Sequence, residues 1–430
     1  MSPGPPDASS YWVEQQGSVL SVASAVGPAP AFAGIDWAEN NHVACLIDSD
    51  GEVTQRVCVG HDKAGIARLI TVLAGRVVAG VGIERGDGPL VTALLAAGLP
   101  VFVIAPSQVK NLRGRYGSAG NKDDRFDAFV LADVVRTDRR RLHPLTLDRP
   151  DTQTLRALVR ARRDLVGHRL AVANQLRAHL LTVLPGVVGL FSELDALTSR
   201  AFIADFGTQD AIDALTAEQL QPWLTERHYH VKTAAVLLQR LHEAAPGITG
   251  PAGQALAGIT QAYLAALNTV IAQVEALETQ IADAFETHPD AAIFAGLPRA
   301  GTVRAARLLA EIGDCRGRFP TAASLAGLAG VTPSTRQSGH TRIVAFRWAV
   351  DKQLRDAVCN FAGDSRLSNA WAADLYQQAR ARGKNHNHAV RILARAWLGV
   401  IWKCWTTHTA YNPAEHRALQ RLITQHRATG

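Results

Sequence analysis

The stretch from residue 31 to residue 104 limits the fold more than any other feature. AFAGIDWA, HVACLIDS and VTQRVCVG are short apolar runs in close succession, and Ser49-Asp50-Gly51 supplies a turn between the second and third. An amphipathic segment at 64–74 follows, then VVAGVGIE, a helical segment at 89–97 and the run PVFVIA. The stretch GNKDDRFDAFVLADVV at 120–135 then turns apolar at helical spacing. Three hairpin-like strands followed by alternating helix and strand predict an antiparallel meander extended by parallel strands and flanked by helices.

That order is the order of an RNase H-like sheet, and four carboxylates fall at informative places within it. Asp36 ends the first run, Glu84 ends the fourth, and Asp124 and Asp127 sit three apart on one face of the last helix. Catalytic groups in open α/β sheets gather where strand ends and neighbouring helices converge. Hard carboxylate oxygens suit Mg²⁺ or Mn²⁺, and two such ions about 4 Å apart hold the attacking and leaving oxygens of a phosphate. Each acid has an ordinary alternative as a strand-end turn residue or a helix cap. Their joint placement points to metal binding, with Lys122 and Arg125 as neighbouring cations for nucleic acid. Asp123 adds a third carboxylate beside the pair; spacing favours Asp124, which alone is i, i+3 from Asp127.

A chain of 430 residues with 47% apolar and 19% charged residues predicts a globular protein of two or three domains. No run of eighteen uncharged apolar residues occurs, so no membrane span is expected. Residues 1–30 are rich in Pro, Ser, Gly and Ala and read as a flexible leader rather than a signal peptide. Five dispersed cysteines suggest neither a disulfide framework nor a zinc site and fit a reducing cytoplasm. The net charge of +7 points to a polyanionic partner.

Beyond residue 150 the pattern becomes helical. Arg156, Arg160 and Arg163 form a basic stripe that reads either as a solvated face or as a phosphate track. Residues 186–230 read as irregular. Leu267, Val270, Val274, Leu277, Ile281 and Ala284 then alternate at three and four, a seam that calls for a partner helix from residues 150–185 or from another subunit. In IFAGLPRAGTVRAARLLAEIGD, residues 293–314, a Gly-Leu-Pro-x-x-Gly turn leads into a helix, as in a helix-hairpin-helix element that grips phosphate. Next comes GVTPSTRQSGHTR, where Ser338 precedes Gly339 among Arg336, His340 and Arg342; Ser334 is the competing hydroxyl. Basic segments at 110–142, 156–170 and 380–395 are further candidates for holding nucleic-acid backbones, while Trp397, Trp402 and Trp405 read as core.

In combination, GIDWA with Asp36, GIE with Glu84, KDDRFDA with Asp124 and Asp127, the GLPRAG turn and GVTPSTRQSG resemble the DEDD-type transposases of insertion sequences guided by a bridge RNA. The resemblance runs from residue 31 to about residue 413. Where that family often has Lys-Thr-Asp, this chain has Lys122-Asp123-Asp124. The resemblance implies a RuvC-like domain at 31–148 and a helical coiled-coil region at 149–290 with an insertion at about 186–230. A mainly helical transposase domain at 291–413 and a tail at 414–430 complete the expected fold, α/β plus all-α. It further implies that Asp36, Glu84, Asp124 and Asp127 bind Mg²⁺ or Mn²⁺ and that Ser338 attacks DNA. The partners implied are donor and target DNA, a noncoding bridge RNA and further copies of the chain, as dimers assembling to a tetramer. A RuvC-like nuclease that uses the same four acids with water as nucleophile is the alternative.

Overall fold

The computed structural model describes residues 30–116 and 123–429, with side chains to residue 425. Residues 1–29 of the expected leader, and Lys122, lie outside the described residues. The chain divides into two compact units, residues 1–146 and 147–430.

In the first unit the strands are β1 (Ala31–Trp37), β2 (Asn41–Ile47) and β3 (Val53–Gly60), followed by α1 (Lys63–Ala74), β4 (Val78–Ile83), α2 (Pro89–Ala96) and β5 (Val101–Val103). Helices α3 (Pro106–Arg113) and α4 (Asp124–Asp138) complete it. The sheet order is β3-β2-β1-β4-β5, antiparallel across β1, β2 and β3 and parallel across β1, β4 and β5. The β2–β3 turn owes its shape to Asp48, whose Oδ1 accepts the backbone N–H of Asp50, Gly51 and Glu52, each at 2.9 Å. PVFVIA contributes a shorter strand than its composition suggests, only Val101–Val103.

Alternation along the strands divides the core into two faces. Ala33, Ile35, Val81 and Ile83 pack with Leu69 and Leu73 of α1 and Leu90 and Leu94 of α2. On the other face Phe32, Ile47 and Phe102 pack with Ala128, Leu131 and Val135 of α4. There α4 meets the sheet backbone to backbone. A Cβ on Gly34 would lie 2.1 Å from the Ala128 carbonyl oxygen and 2.3 Å from the Ala132 nitrogen. Gly34→Ala is therefore expected to destabilise the protein by about 3 kcal/mol or more, because a helix backbone has no rotamer with which to give way. A urea midpoint within error of wild type would contradict this packing.

The second unit begins with α5 (Pro150–Val183), then α6 (Leu197–Asp205), α7 (Gln209–Asp213), α8 (Ala217–Glu226), α9 (Ala234–Glu243) and α10 (Gly250–Glu286). Helices α5 and α10 pair in antiparallel register through Thr152–His288, Arg162–Glu278 and His179–Thr260. The partner of the expected seam is thus α5 of the same chain, and the stripe differs from the expected one. Leu267, Val274 and Ile281 are buried, but the alternate positions are Leu264, Ile271 and Phe285, with Glu278 between them, while Val270, Leu277 and Ala284 are half-buried. By length and composition α10 is apolar enough to cross a membrane, with mean hydropathy 1.4 over its most apolar window. Its seam is nevertheless taken up by α5.

Residues 186–230 are not irregular. Their helices α6, α7 and α8, with α9, build a core on the far end of the α5–α10 pair. Its aromatic centre is Phe191, Phe202, Phe206, Trp223 and Tyr229, with Arg227 over the Trp223 ring. The near end of the pair, at Leu155, Val159, Ile281 and Phe285, is continuous with a larger core of the C-terminal helices. These are α11 (Ala291–Ala295), α12 (Gly301–Ile312), α13 (Ala322–Leu328), the hairpin β6 (Ser334–Ser338) and β7 (Thr341–Ala345), then α14 (Lys352–Ser365), α15 (Ala370–Ala381), α16 (His386–Thr407) and α17 (Arg417–Thr429). Residues 414–430 are more than a tail, since α17 buries Leu419 and packs on α15. In α12, Ala305, Leu308, Leu309 and Ile312 are all fully buried, the inner face expected after the GLPRAG turn. Trp397 and Trp405 are core, their indole N–H groups donating to Ser365 Oγ and the Gly313 carbonyl, each at 2.8 Å. Half-buried Trp402 donates to the Phe319 carbonyl at 2.9 Å.

Candidate active-site residues

The close approach of α4 to the sheet fixes where its acids fall. Gly34 lies against Ala128 and Ala132, Gly82 against Leu131, and Gly80 against Val135. Moving toward the N-terminus of β4 therefore means moving toward the C-terminus of α4, so helix and strand run in opposite directions. The first turn of α4, with Asp124 and Asp127, sits at the end of the sheet where β1 and β4 terminate. The parallel register pairs Ile35 with Ile83, which sets Asp36 beside Glu84 on strands about 4.8 Å apart. Both follow the alternation of Gly34 and Gly82, the face on which α4 lies. Register and alternation thus set all four acids toward one end of one sheet face.

Their surroundings differ. Asp36 and Glu84 are half-buried and Asp124 is exposed. Asp127 is 2% exposed and is held by Arg113 of α3 in a two-pronged ion pair, Nε to Oδ1 at 2.6 Å and Nη2 to Oδ2 at 2.5 Å. A buried carboxylate requires such a cation. Asp123 is the N-cap of α4 and accepts the Arg125 N–H at 3.1 Å, a role that separates it from Asp124. Beside Asp36, the Trp37 ring lies under the Arg85 guanidinium at 4.4 Å. His42, paired with Trp37 across the β1–β2 ladder, is fully buried and hydrogen-bonds His61 at 2.7 Å. Burial, and then the His61 charge, push the His42 pKa below its usual value.

In the second unit Ser338 is the last residue of β6, opposite Thr341, next to a two-residue turn of Gly339 and His340. Gly339 has φ +54°, a conformation that a side chain resists. The segment is a hairpin, not an open loop, and Ser338 stands exposed at its tip while Ser334 sits half-buried at its base. The ladder also divides the expected ring of cations. Ser334, Arg336, Ser338, Thr341 and Ile343 alternate onto one face, and Thr335, Gln337, Arg342 and Val344 onto the other. Arg336 therefore shares the face of Ser338, and Arg342 points away from it.

The basic stripe of α5 is not an open phosphate track. Arg156 pairs with Asp148 and donates to the Ala310 carbonyl at 2.6 Å; Arg160 grips the buried Glu311 at 3.0 and 2.6 Å; Arg163 reaches Asp356 at 3.2 Å. These guanidinium groups join α5 to the C-terminal helices. The same region holds a cluster absent from the sequence reading, in which ligand-type atoms of Asp151, His288 and Asp314 lie within 4.8 Å of one another. Its groups have protein partners. His288 Nδ1 accepts the Asp290 N–H at 3.1 Å, its Nε2 lies 2.8 Å from Thr152 Oγ1, and Asp314 accepts the Arg149 N–H. Burial and the nearby Asp148 carboxylate hold Asp314 above the ordinary carboxyl range.

Comparison with known proteins draws these observations together. A DEDD transposase model named for IS110 matches residues 33–185, and a model described as "Transposase IS116/IS110/IS902 family" matches residues 291–377. The chain is 31% identical over 409 residues to the "Mini-circle putative transposase for IS117" of Streptomyces coelicolor, covering 91% of this chain and 97% of that one. It belongs to the IS116/IS110/IS902 family of transposases. Another relative, the "Insertion element IS900 uncharacterized 42 kDa protein" of Mycobacterium paratuberculosis, is 30% identical across 90% of this chain and 98% of its own. The IS116 protein of Streptomyces clavuligerus is 28% identical across 89% and 96%. The two transposase models bracket residues 186–290, which hold the helical core of α6–α9 and the whole of α10.

Proposed function

We propose that this transposase cuts and rejoins DNA strands of its insertion sequence through a covalent phosphoserine at Ser338, assisted by a divalent metal at Asp36, Glu84, Asp124 and Asp127 and directed by a noncoding RNA. The observation that supports the reading is the packing of α4 on Gly34 and the pairing of β1 with β4, which set the four acid-bearing positions toward one sheet end. That donor set is all hard oxygen, which fits Mg²⁺ or Mn²⁺; Asp127, both of whose oxygens Arg113 holds, would join through its remaining lone pairs. The strand order β3-β2-β1-β4-β5, antiparallel and then parallel, supports an RNase H or RuvC-like reading of the first unit.

Bound there, a divalent ion would supply polarisation of a scissile phosphate and relief of charge in the transition state. The residues of the chain do the rest. Ser338 Oγ bonds to phosphorus as the bond from phosphorus to a deoxyribose oxygen breaks; the serine gives up its proton and the departing oxygen leaves as a hydroxyl. His340, in the adjoining turn, is able to carry that proton. Arg336, on the same hairpin face, balances charge that develops on the phosphate. A hydroxyl of the second strand then attacks the phosphoserine, which restores the serine and joins the strands without ATP. Dimers assembling to a tetramer on two duplexes suit such an exchange.

The test is to incubate the full chain with labelled donor and target DNA, the element's noncoding RNA and Mg²⁺. A protein–DNA band resistant to denaturation, dependent on RNA and metal, is expected. Cut DNA without any covalent species would replace this reading with that of a water-using nuclease. The hairpin geometry adds a finer expectation. Arg336→Ala should slow adduct formation about a hundredfold, and Arg342→Ala less than tenfold. Equal losses would contradict the assignment of faces.

A further inference from the structure

The second unit holds a concentration of positive charge, part of it from the basic segment 380–395, that the proposed chemistry does not use. Two grooves meet at Arg391, near the start of α16, with volumes of about 550 Å³ and 580 Å³. The first is lined by Arg355 and Arg391 together with Asp356 and Asp364; the second, which shares Arg391 with it, is lined by Arg347, Lys384, His388, Arg391 and Arg395 and by no carboxylate. Arg355 and Arg391 approach one aromatic ring together, their guanidinium carbons 4.6 and 4.9 Å from the centre of Phe346. Among the described residues no carboxylate pairs with Arg347, Arg355, Arg391 or Arg395, although Arg162, Arg304, Arg307 and Arg316 of the same unit each have one. Arg347 Nε and Arg355 Nε are buried and lack a hydrogen-bond partner. Burial, and the adjacent Arg391 charge, lower the Arg355 pKa.

Two guanidinium groups pressed toward each other repel, and a buried N–H left unpaired costs about 1–3 kcal/mol. The cation–π contacts offset part of this. An anion with several acceptor oxygens would answer both the charge and the orphan donors. Four fixed cations along the groove, Arg347, Lys384, Arg391 and Arg395, exceed the charge of a single phosphate and fit a repeating one. An aromatic platform adjoins the groove, for Trp348, 79% exposed, meets the lining ring of Phe346 edge-on at 4.8 Å. Exposed rings beside a cationic groove are what an unpaired base stacks on.

We infer that this groove binds the sugar-phosphate backbone of a single-stranded nucleic acid along the base of the hairpin whose tip carries Ser338. Val344, Ala345 and Phe346 line it, so a strand held there lies roughly 17 Å, one hairpin length, from the serine end. The inference rests on the proposed handling of nucleic acid, but not on the metal or on the chemistry of Ser338.

The test therefore measures binding of the full chain in EDTA, where no strand transfer runs. Labelled single-stranded DNA and RNA of one sequence, roughly a dozen nucleotides long, are titrated by fluorescence anisotropy at several salt concentrations. Arg391→Gln and Arg355→Gln should each weaken binding about tenfold and reduce the salt slope by about 0.7. Trp348→Ala should weaken it about tenfold with the slope kept. Arg68→Gln, an exposed cation of α1 in the other unit, should change neither. Arg391→Gln should melt at the wild-type temperature or above, since it removes repulsion rather than an ion pair, whereas Arg355→Gln also loses the Nη2 hydrogen bond to the Arg347 carbonyl at 2.9 Å; if either fails to fold, exposed Arg395→Gln replaces it with the same expected loss of slope. A loss confined to DNA or to RNA assigns the strand, and a loss of both supports the shared backbone. Unchanged affinity and slope in the arginine variants, or tight binding of duplex alone, would overturn the inference.

Discussion

Ser338→Ala should reduce strand transfer by about a thousandfold or more and remove the protein–DNA adduct altogether, while DNA binding in EDTA stays within about twofold of wild type. The size follows from the role, because a nucleophile that forms a covalent intermediate has no partial substitute. Binding survives because the exposed side chain at a hairpin tip supports no packing. Ser334→Ala serves as the internal comparison. Ser334 is half-buried at the hairpin base, opposite Ala345, and its loss should leave the adduct intact. An adduct that persists in Ser338→Ala and disappears in Ser334→Ala would transfer the role to the other hydroxyl.

Asp36→Asn should lower strand transfer by at least about a hundredfold, through loss of one oxygen ligand and one negative charge at the sheet end. Asp127→Asn should behave differently. It loses activity and also stability, by roughly 2–3 kcal/mol, because Arg113 is left beside a neutral amide in a largely buried setting. Thermal melts in EDTA separate the two effects. Equal stability of Asp127→Asn and wild type would mean that the Arg113 ion pair contributes nothing to holding α3 against α4. Rescue of Asp36→Asn to full rate by raised Mg²⁺ would limit its part to metal affinity.

The positions of the acids were legible because each one ends a patterned element: Asp36 and Glu84 close apolar strands, and Asp124 and Asp127 open an apolar helix. The glycines that let α4 settle on the sheet carry no such mark, and Arg113 stands in sequence as one cation among Lys110 and Arg115. The stripe of Arg156, Arg160 and Arg163 was misleading for a physical reason. Two of its carboxylate partners lie 151 and 193 residues away, so a line of ion pairs across a helix interface looks in sequence like a solvated basic face. Arg342 was grouped with Ser338 because neighbours in a loop share space, whereas neighbours in a hairpin alternate between faces. The seam of α10 shifted because Val270, Leu277 and Ala284 are as apolar as the buried set, and because the true stripe admits Glu278, which Arg162 satisfies at 2.8 Å. Residues 186–230 hid their order in helices of five to ten residues, too short for periodicity to declare.

The most direct measurement maps the attachment point. Wild-type protein is reacted with donor and target DNA, noncoding RNA and Mg²⁺, digested with protease and nuclease, and the nucleotide-bearing peptide is identified by mass spectrometry. The account predicts a nucleotide on Ser338, within the peptide that spans the hairpin, and none when Mg²⁺ is withheld or Asp36 is replaced by Asn. Efficient strand transfer with no modified peptide, or with the nucleotide on a residue outside the hairpin, would contradict it.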